Sequence, residues 1–69
     1  MFIEFANGLF NINHIIYLRQ PIKTYNAETY SLYLIYGQQD ANAEVEVFES
    51  MEEAQSRYEE VVKQLINLK

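Results

Sequence analysis

The sequence predicts an α+β fold: an antiparallel four- to five-stranded sheet covered on one face by a single C-terminal amphipathic helix. Three observations predict it: an Asn-Gly pair between two apolar runs, further short segments rich in branched and aromatic residues, and one segment of helical periodicity after Ser50. Because the sheet has an apolar face to bury and only one helix is available, we expect the helix to dock on the sheet. We expect one small α+β domain over residues 1–69.

The first two strands, at about 2–6 and 9–12, are predicted to form a hairpin around Asn7-Gly8. An Asn-Gly loop favours a type I′ turn, because both central residues must take positive φ. In that register the apolar residues of both strands share one face. The facing pairs would be Phe5 with Phe10 and Ile3 with Ile12.

The third and fourth strands are predicted at about 14–20 and 29–36. Pro21 ends the third strand because it has no amide hydrogen to donate, and residues 20–28 read as a loop. The fourth strand is rich in aromatic and branched residues on both faces, which is typical of a central strand or a subunit contact. One face carries Tyr30, Leu32, Leu34 and Tyr36, and the other carries Ser31, Tyr33 and Ile35.

The fifth strand is predicted at about 43–48, where Val45 and Val47 alternate with Glu44 and Glu46. Alternation of this kind indicates a half-exposed strand. We expect the valines to face the core and the carboxylates to form an acidic outer edge.

The helix is predicted at about 51–68, with Ser50 as its N-cap and Glu53 completing a capping box. Acidic residues near its start and basic residues near its end suit the helix dipole. The apolar spacing fits docking on a sheet, and it would also fit a helix-to-helix dimer. The apolar stripe consists of Met51, Ala54, Tyr58, Val61, Leu65 and Leu68, widened by Val62 and Ile66.

The predicted core combines the apolar faces of all these elements. Its members are Ile3, Phe5, Phe10, Ile12, Ile16, Leu18, Leu32, Leu34, Val45, Val47, Ala54, Tyr58, Val61 and Leu65. A chain of this size buries only about 60% of its unfolded surface. With no cysteine and a single histidine, its stability must come from packing or self-association.

Catalytic and cofactor motifs are absent from the sequence. The only glycines, Gly8 and Gly37, fit turns rather than a phosphate-binding loop, and no serine lies in a nucleophile-elbow motif. His14 is expected to be a turn or strand-edge residue. We therefore expect no enzyme activity, no cofactor and no metal. Since no run approaches about 18 apolar residues, we expect no membrane span and a cytoplasmic location.

The charge is concentrated in one half of the chain. Residues 40–60 hold eight carboxylates and one arginine, which gives this segment a net charge of −7, whereas the net charge of the whole chain is −5. This block repels phosphate backbones, so direct nucleic-acid binding is disfavoured, and it attracts basic surfaces.

Two functions remain open. The first is a non-catalytic protein–protein interaction module that self-associates as a homodimer, because exposed tyrosines are frequent in protein contacts. Its predicted contact residues are Tyr30, Tyr33, Ile35 and Tyr36. The alternative is an acidic nucleic-acid mimic of the phage or mobile-element type, which would inhibit a nucleic-acid enzyme by binding a basic protein groove. Its predicted surface is Glu44, Glu46, Glu52 and Glu59.

The order of turn and cap motifs resembles the FlbD family of small bacterial flagellar proteins. The matching pieces are Asn7-Gly8, Asn13 to Ile16, Gly37, and Glu49-Ser50 through Ala54. The chain departs from the family in its longer connection around Pro21 and its more aromatic fourth strand. The resemblance implies strands followed by a helix, and no functional residue is carried over from it.

Overall fold

The computed structural model describes residues 1–38 and 40–68, without the side chain of Leu68, and shows a two-layer α+β fold. This fold class was predicted from the sequence and is confirmed. A 3-10 turn at Ile12–His14 separates the second and third strands. The described elements are β1 (Phe2–Phe5), β2 (Gly8–Asn11), β3 (Ile15–Leu18), β4 (Ile22–Lys23), β5 (Tyr30–Tyr36), β6 (Asn42–Phe48) and α1 (Met51–Leu68).

Strand β5 is the centre of the larger sheet. It pairs antiparallel with β6 along its whole length, from Tyr30 opposite Phe48 to Tyr36 opposite Asn42. Its other edge pairs with β3 near its end and with the two-residue β4 near its start. The predicted central position of this strand is therefore correct, whereas β4 lies in the segment that was predicted to be entirely loop.

Strands β1 and β2 form a separate two-stranded sheet, because the 3-10 turn redirects the chain before β3. Phe5 pairs with Gly8 and Ile3 with Phe10, so the register differs from the predicted one by two residues. Ala6 and Asn7 have positive φ values of 49° and 66°, which makes them the turn residues in place of Asn7-Gly8. A shift of two residues leaves every side chain on its predicted face.

A tertiary contact explains the unexpected turn. The Ala6 amide donates a hydrogen bond of 2.9 Å to the Glu46 carboxylate on β6. This bond holds Ala6 in a conformation that costs an alanine about 1 kcal/mol. Gly8 then lies within the strand, where a Cβ would be 3.4 Å from the Phe10 ring.

A β-bulge in β3 changes which residues face the core. The pairing with β5 shifts between Ile15 and Tyr17, so Ile16 is the extra residue of the bulge. Ile15 and Leu18 both pack against the core, while Ile16 is 55% exposed. The predicted core position of Ile16 is therefore wrong.

Strand β6 has the opposite orientation to the predicted one. Val45 and Val47 are exposed, whereas Glu44, Glu46 and Phe48 are half-buried on the side of the helix. Phe48 packs against the core and fixes this orientation, because side chains two residues apart share a face. The predictions of buried valines and of an outward-facing acidic edge are both wrong.

Helix α1 packs on β5, β6 and β1. The capping box is present: the Glu53 amide donates to Ser50 Oγ at 3.2 Å, and the Ser50 hydroxyl donates to the Glu53 carboxylate at 3.1 Å. Ala54 and Val61 are fully buried, so the middle of the apolar stripe is used for docking on the sheet, whereas Met51 at its start is 41% exposed. Ile66 is exposed, and the predicted contribution of Leu68 lies outside the described side chains.

The core lies between the larger sheet on one side and the hairpin with the helix on the other. Its central cluster is Ile3, Phe5, Leu32, Leu34 and Val61. The other predicted members with partial burial against it are Phe10, Ile12, Leu18, Tyr58 and Leu65. We call the side of the larger sheet that contacts this second layer the covered face.

Candidate functional site: the open face of the sheet

The opposite side of the larger sheet has no second layer in the described part of the chain, and we call it the open face. Antiparallel pairing arranges its side chains in rows across three strands. Its residues are Tyr17, Ile22, Ser31, Tyr33, Ile35, Ala43, Val45 and Val47. All of them are uncharged, but the exposed Arg19, which pairs with Tyr33 beyond the end of β3, lies on the same face and carries a charge.

The open face exposes large apolar side chains next to one another. Tyr17 and Val47 are 51% and 55% exposed, and Val45 and Ile22 are 40% and 39% exposed. Tyr33, at the centre, lies opposite Val45 and is half-buried by its neighbours. Isolated apolar residues are normal on protein surfaces, but a contiguous apolar patch indicates an interaction site.

The buried polar group on this face already has a partner. Ser31 is 1% exposed, and its hydroxyl is hydrogen-bonded to the Thr24 hydroxyl at 2.5 Å. Arg19 continues the pairing beyond β3, because its amide donates to the Tyr33 carbonyl at 2.9 Å. The open face is thus a mostly apolar surface suited to packing, with Arg19 in its central row.

The predicted contact residues are divided between the two faces. Tyr33 and Ile35 lie on the open face, whereas Tyr30 and Tyr36 lie on the covered face. The Tyr36 ring meets the Phe10 ring edge-on at 4.8 Å. Its hydroxyl donates to the Glu44 carboxylate at 3.3 Å, and desolvation together with the negative charge of Glu44 raises the Tyr36 pKa.

Sequence reasoning missed four members of the open face, namely Tyr17, Ile22, Val45 and Val47. The signal that could have found them is the apolar character of both faces of β5. A single C-terminal helix can cover only one face of a sheet, so the neighbours of Tyr33 and Ile35 had to be candidates for exposure.

The carboxylates of the alternative hypothesis do not form one surface. Glu52 and Glu59 are exposed on α1, where Glu59 accepts a hydrogen bond from Gln55. Glu44 lies beneath Tyr36 and Glu46 contacts the hairpin and helix, so both are half-buried on the covered face. Two of the four carboxylates are thus directed away from any basic groove that would approach the exposed side of α1.

Glu46 and Arg57 form a contact cluster that joins β6, α1 and the hairpin. Glu46 Oε1 accepts from Arg57 Nε at 2.8 Å, and Oε2 accepts from the Ala6 amide at 2.9 Å. Arg57 also donates to the Glu4 carbonyl at 2.9 Å and to Glu60 at 2.6 Å, and its guanidinium lies 5.8 Å from the Phe5 ring centroid.

The electrostatics of this cluster indicate a structural role. Burial raises the pKa of Glu46, but the hydrogen bonds from Arg57 and the Ala6 amide and the charge of Arg57 outweigh it, so the net pKa lies below its ordinary value. The hydrogen bond to Glu46 raises the pKa of Arg57. Each charge is thus stabilised in its ionised form by its partner, which is typical of a structural ion pair.

The remaining surface shows shallow clefts rather than an enclosed cavity, and the one at the start of α1 is lined mostly by polar and charged side chains. Over residues 1–38 and 40–68, no three His, Asp or Glu side chains form a group that could hold a metal ion. No helix in the described chain has the length and apolar character needed to cross a bilayer. No family model, curated protein or solved structure gives a significant match to this chain.

Proposed function

We propose that this chain is a small non-catalytic protein–protein interaction module that self-associates as a homodimer through the open face. The observation that carries the proposal is the group of exposed apolar side chains on the three rows around Tyr33, namely Tyr17, Ile22, Val45 and Val47. Water contact with this surface is unfavourable by about 25 cal/mol per Å2. Packing against a second apolar sheet at about 10 Å removes the surface from water without any change of fold.

The size of the open face suggests the strength of the dimer. Seven residues of strand span about 23 Å and three strands span about 14 Å, which is an area of about 320 Å2 per copy, so two copies would bury roughly 650 Å2 in total. This is below the roughly 1,000 Å2 of a stable specific interface and is typical of a weak, transient contact. We therefore expect a reversible, concentration-dependent dimer rather than an obligate one.

The distribution of charge favours a second copy on this face. The exposed carboxylates Glu52 and Glu59 lie on α1, in the other layer of the fold. In a face-to-face dimer the two helices would lie on opposite outer sides, roughly 30 Å apart, and would be screened from each other at physiological salt. The net charges of −5 on the two chains repel each other, but salt screens charges that lie this far apart.

Sedimentation equilibrium at low and high salt tests the proposal. We expect a mass of two chains that persists at high salt, because burial of apolar surface is not screened by ions. The double variant Tyr33→Glu with Ile35→Lys should be a folded monomer. The matched control Phe2→Glu with Leu9→Lys changes exposed residues of the hairpin, in the other layer of the fold, and should remain a dimer.

A second double variant tests whether a monomer results from misfolding of the central strand rather than from loss of the contact. Val45→Lys with Val47→Glu places the same charges on exposed positions of β6 and should also yield a monomer, with an unchanged circular dichroism spectrum. A wild-type monomer at all concentrations would contradict the proposal, as would dimers of both variants.

The acidic-mimic alternative makes a different prediction for the same samples. It requires that the protein bind a basic nucleic-acid enzyme, that binding be lost at high salt, and that it depend on Glu52 and Glu59. Binding of this kind by a monomeric wild-type protein would replace the dimer proposal. Tolerance of high salt and loss of binding in the Tyr33→Glu, Ile35→Lys variant would instead favour an interaction through the open face.

A further inference from the structure

The outer edge of β6 is a second unpartnered feature of the fold. All seven residues from Asn42 to Phe48 pair with β5 without a bulge. On the other edge, the backbone N–H and C=O groups of β6 make no backbone hydrogen bond within the part of the chain that the structure describes. The strand contains no proline or lysine, and the charges that protect its edge are the inward-pointing carboxylates Glu44 and Glu46, which disfavour pairing with a strand that lacks basic side chains.

A cleft of about 440 Å3 runs beside this edge. It is lined by Ala6 and Asn7 of the hairpin turn and by residues 45–48 of β6. An added strand would lie about 4.8 Å from β6, with the hairpin turn beside it. The edge is thus accessible, and the turn limits the side from which a strand can approach.

The side chains of β6 determine what kind of strand fits. Val45 and Val47 point to the open face, and Glu44 and Glu46 point to the covered face. Antiparallel pairing of β6 with β6 of a second copy, centred on Val45, would place Glu44 opposite the second copy's Glu46. Like charges directly opposite each other destabilise a sheet, so self-pairing at this edge is disfavoured.

We propose that the β6 edge binds an extended segment of another protein in which branched apolar residues alternate with basic residues. The backbone of the segment would complete the ladder, its apolar side chains would extend the open face beside Val45, and a basic side chain would lie opposite Glu44. Addition of a strand to an exposed edge is a common mode of peptide recognition. The proposal concerns a different surface and a different partner from the dimer, and it does not depend on the dimer.

The probe is a blocked peptide of sequence Lys-Val-Lys-Val-Lys-Val-Lys added to isotope-labelled protein. We expect amide chemical-shift changes centred on residues 42–48, and weaker binding of the matching Glu-Val peptide. Glu44→Lys should weaken binding of the Lys-Val peptide by up to about fivefold, the size of a cross-strand charge pair. The control Glu59→Lys makes the same charge change on exposed α1 and should have a smaller effect.

Backbone methylation separates strand addition from simple charge attraction. In an antiparallel ladder only alternate residues direct their N–H groups towards a given neighbour. We compare one peptide methylated at the valine amides with one methylated at the lysine amides. One of the two should therefore lose binding, and the other should keep it. Three results would each overturn the proposal, whatever the mass of the protein in solution. They are equal binding of the two methylated peptides, chemical-shift changes confined to α1, and no binding of the Lys-Val peptide.

Discussion

The covered and open faces of the larger sheet contain similar side chains that have opposite environments. Leu32 and Leu34 of β5 are fully buried against the second layer, whereas Val45 and Val47 of the neighbouring strand are 40% and 55% exposed. The difference is that the chain provides one hairpin and one helix, and both lie on the same side of the sheet. Apolar character therefore stabilises the monomer on one face and remains exposed to water on the other.

Truncation of one core residue on the covered face should produce the largest effect. Leu32→Ala removes fully buried methyl groups and leaves a cavity, so we expect a loss of about 3 kcal/mol in the free energy of unfolding. Val47→Ala on the open face should cost below about 0.5 kcal/mol. Urea unfolding at protein concentrations low enough to dissociate the proposed dimer measures both, and similar losses would contradict the distinction between the faces.

The Glu46–Arg57 cluster should contribute a smaller amount to the covered side. Glu46→Gln removes the charge that Arg57 and the Ala6 amide stabilise, and we expect a loss of about 2 kcal/mol. Glu60→Gln is the matched control, because Glu60 also contacts Arg57 but its side chain is 60% exposed. Its loss should stay below about 0.5 kcal/mol. Equal losses in the two variants would show that the burial of Glu46 is unimportant.

The same cluster predicts how stability depends on pH. The pKa of folded Glu46 lies below that of the unfolded chain, so the contribution of its charge is fully present above the unfolded value of about 4.3. It is lost as the pH falls through the folded pKa. The difference in unfolding free energy between wild type and Glu46→Gln should therefore shrink between pH 6 and pH 3. A constant difference over this range would contradict the assignment.

We expect the smallest change in stability from a substitution in the hairpin turn. Ala6 has a φ of 49°, which glycine adopts without strain, so Ala6→Gly should stabilise the protein by about 0.5 kcal/mol after the entropy cost in the unfolded chain. The same substitution in strand β6, Ala43→Gly, should instead destabilise by about 0.5–1 kcal/mol. Thermal unfolding of the two variants compares them, and a loss of stability in both would argue against strain at the turn.

The sequence-based predictions were wrong where the local alternation of apolar and polar residues fits more than one orientation of the strand. In β5 both faces are apolar, and its bounds and faces were predicted correctly. In β6 the pattern of Glu44 to Val47 fits either orientation, and the side chain that decides it is Phe48, which reaches the core. The bulge at Ile16 leaves no local signal of its own, because the neighbouring residues are all branched or aromatic.

The sequence alone determined the α+β class, the bounds and cap of α1, the central strand and the faces of the hairpin. These follow from periodicity and capping chemistry, which act over a few residues. The turn residues of the hairpin, the orientation of β6 and the composition of the open face were decided only in the tertiary structure. The responsible contacts join Glu46 to Ala6, 40 residues apart, and Arg57 to Glu4, 53 residues apart, and no local pattern encodes interactions over such separations.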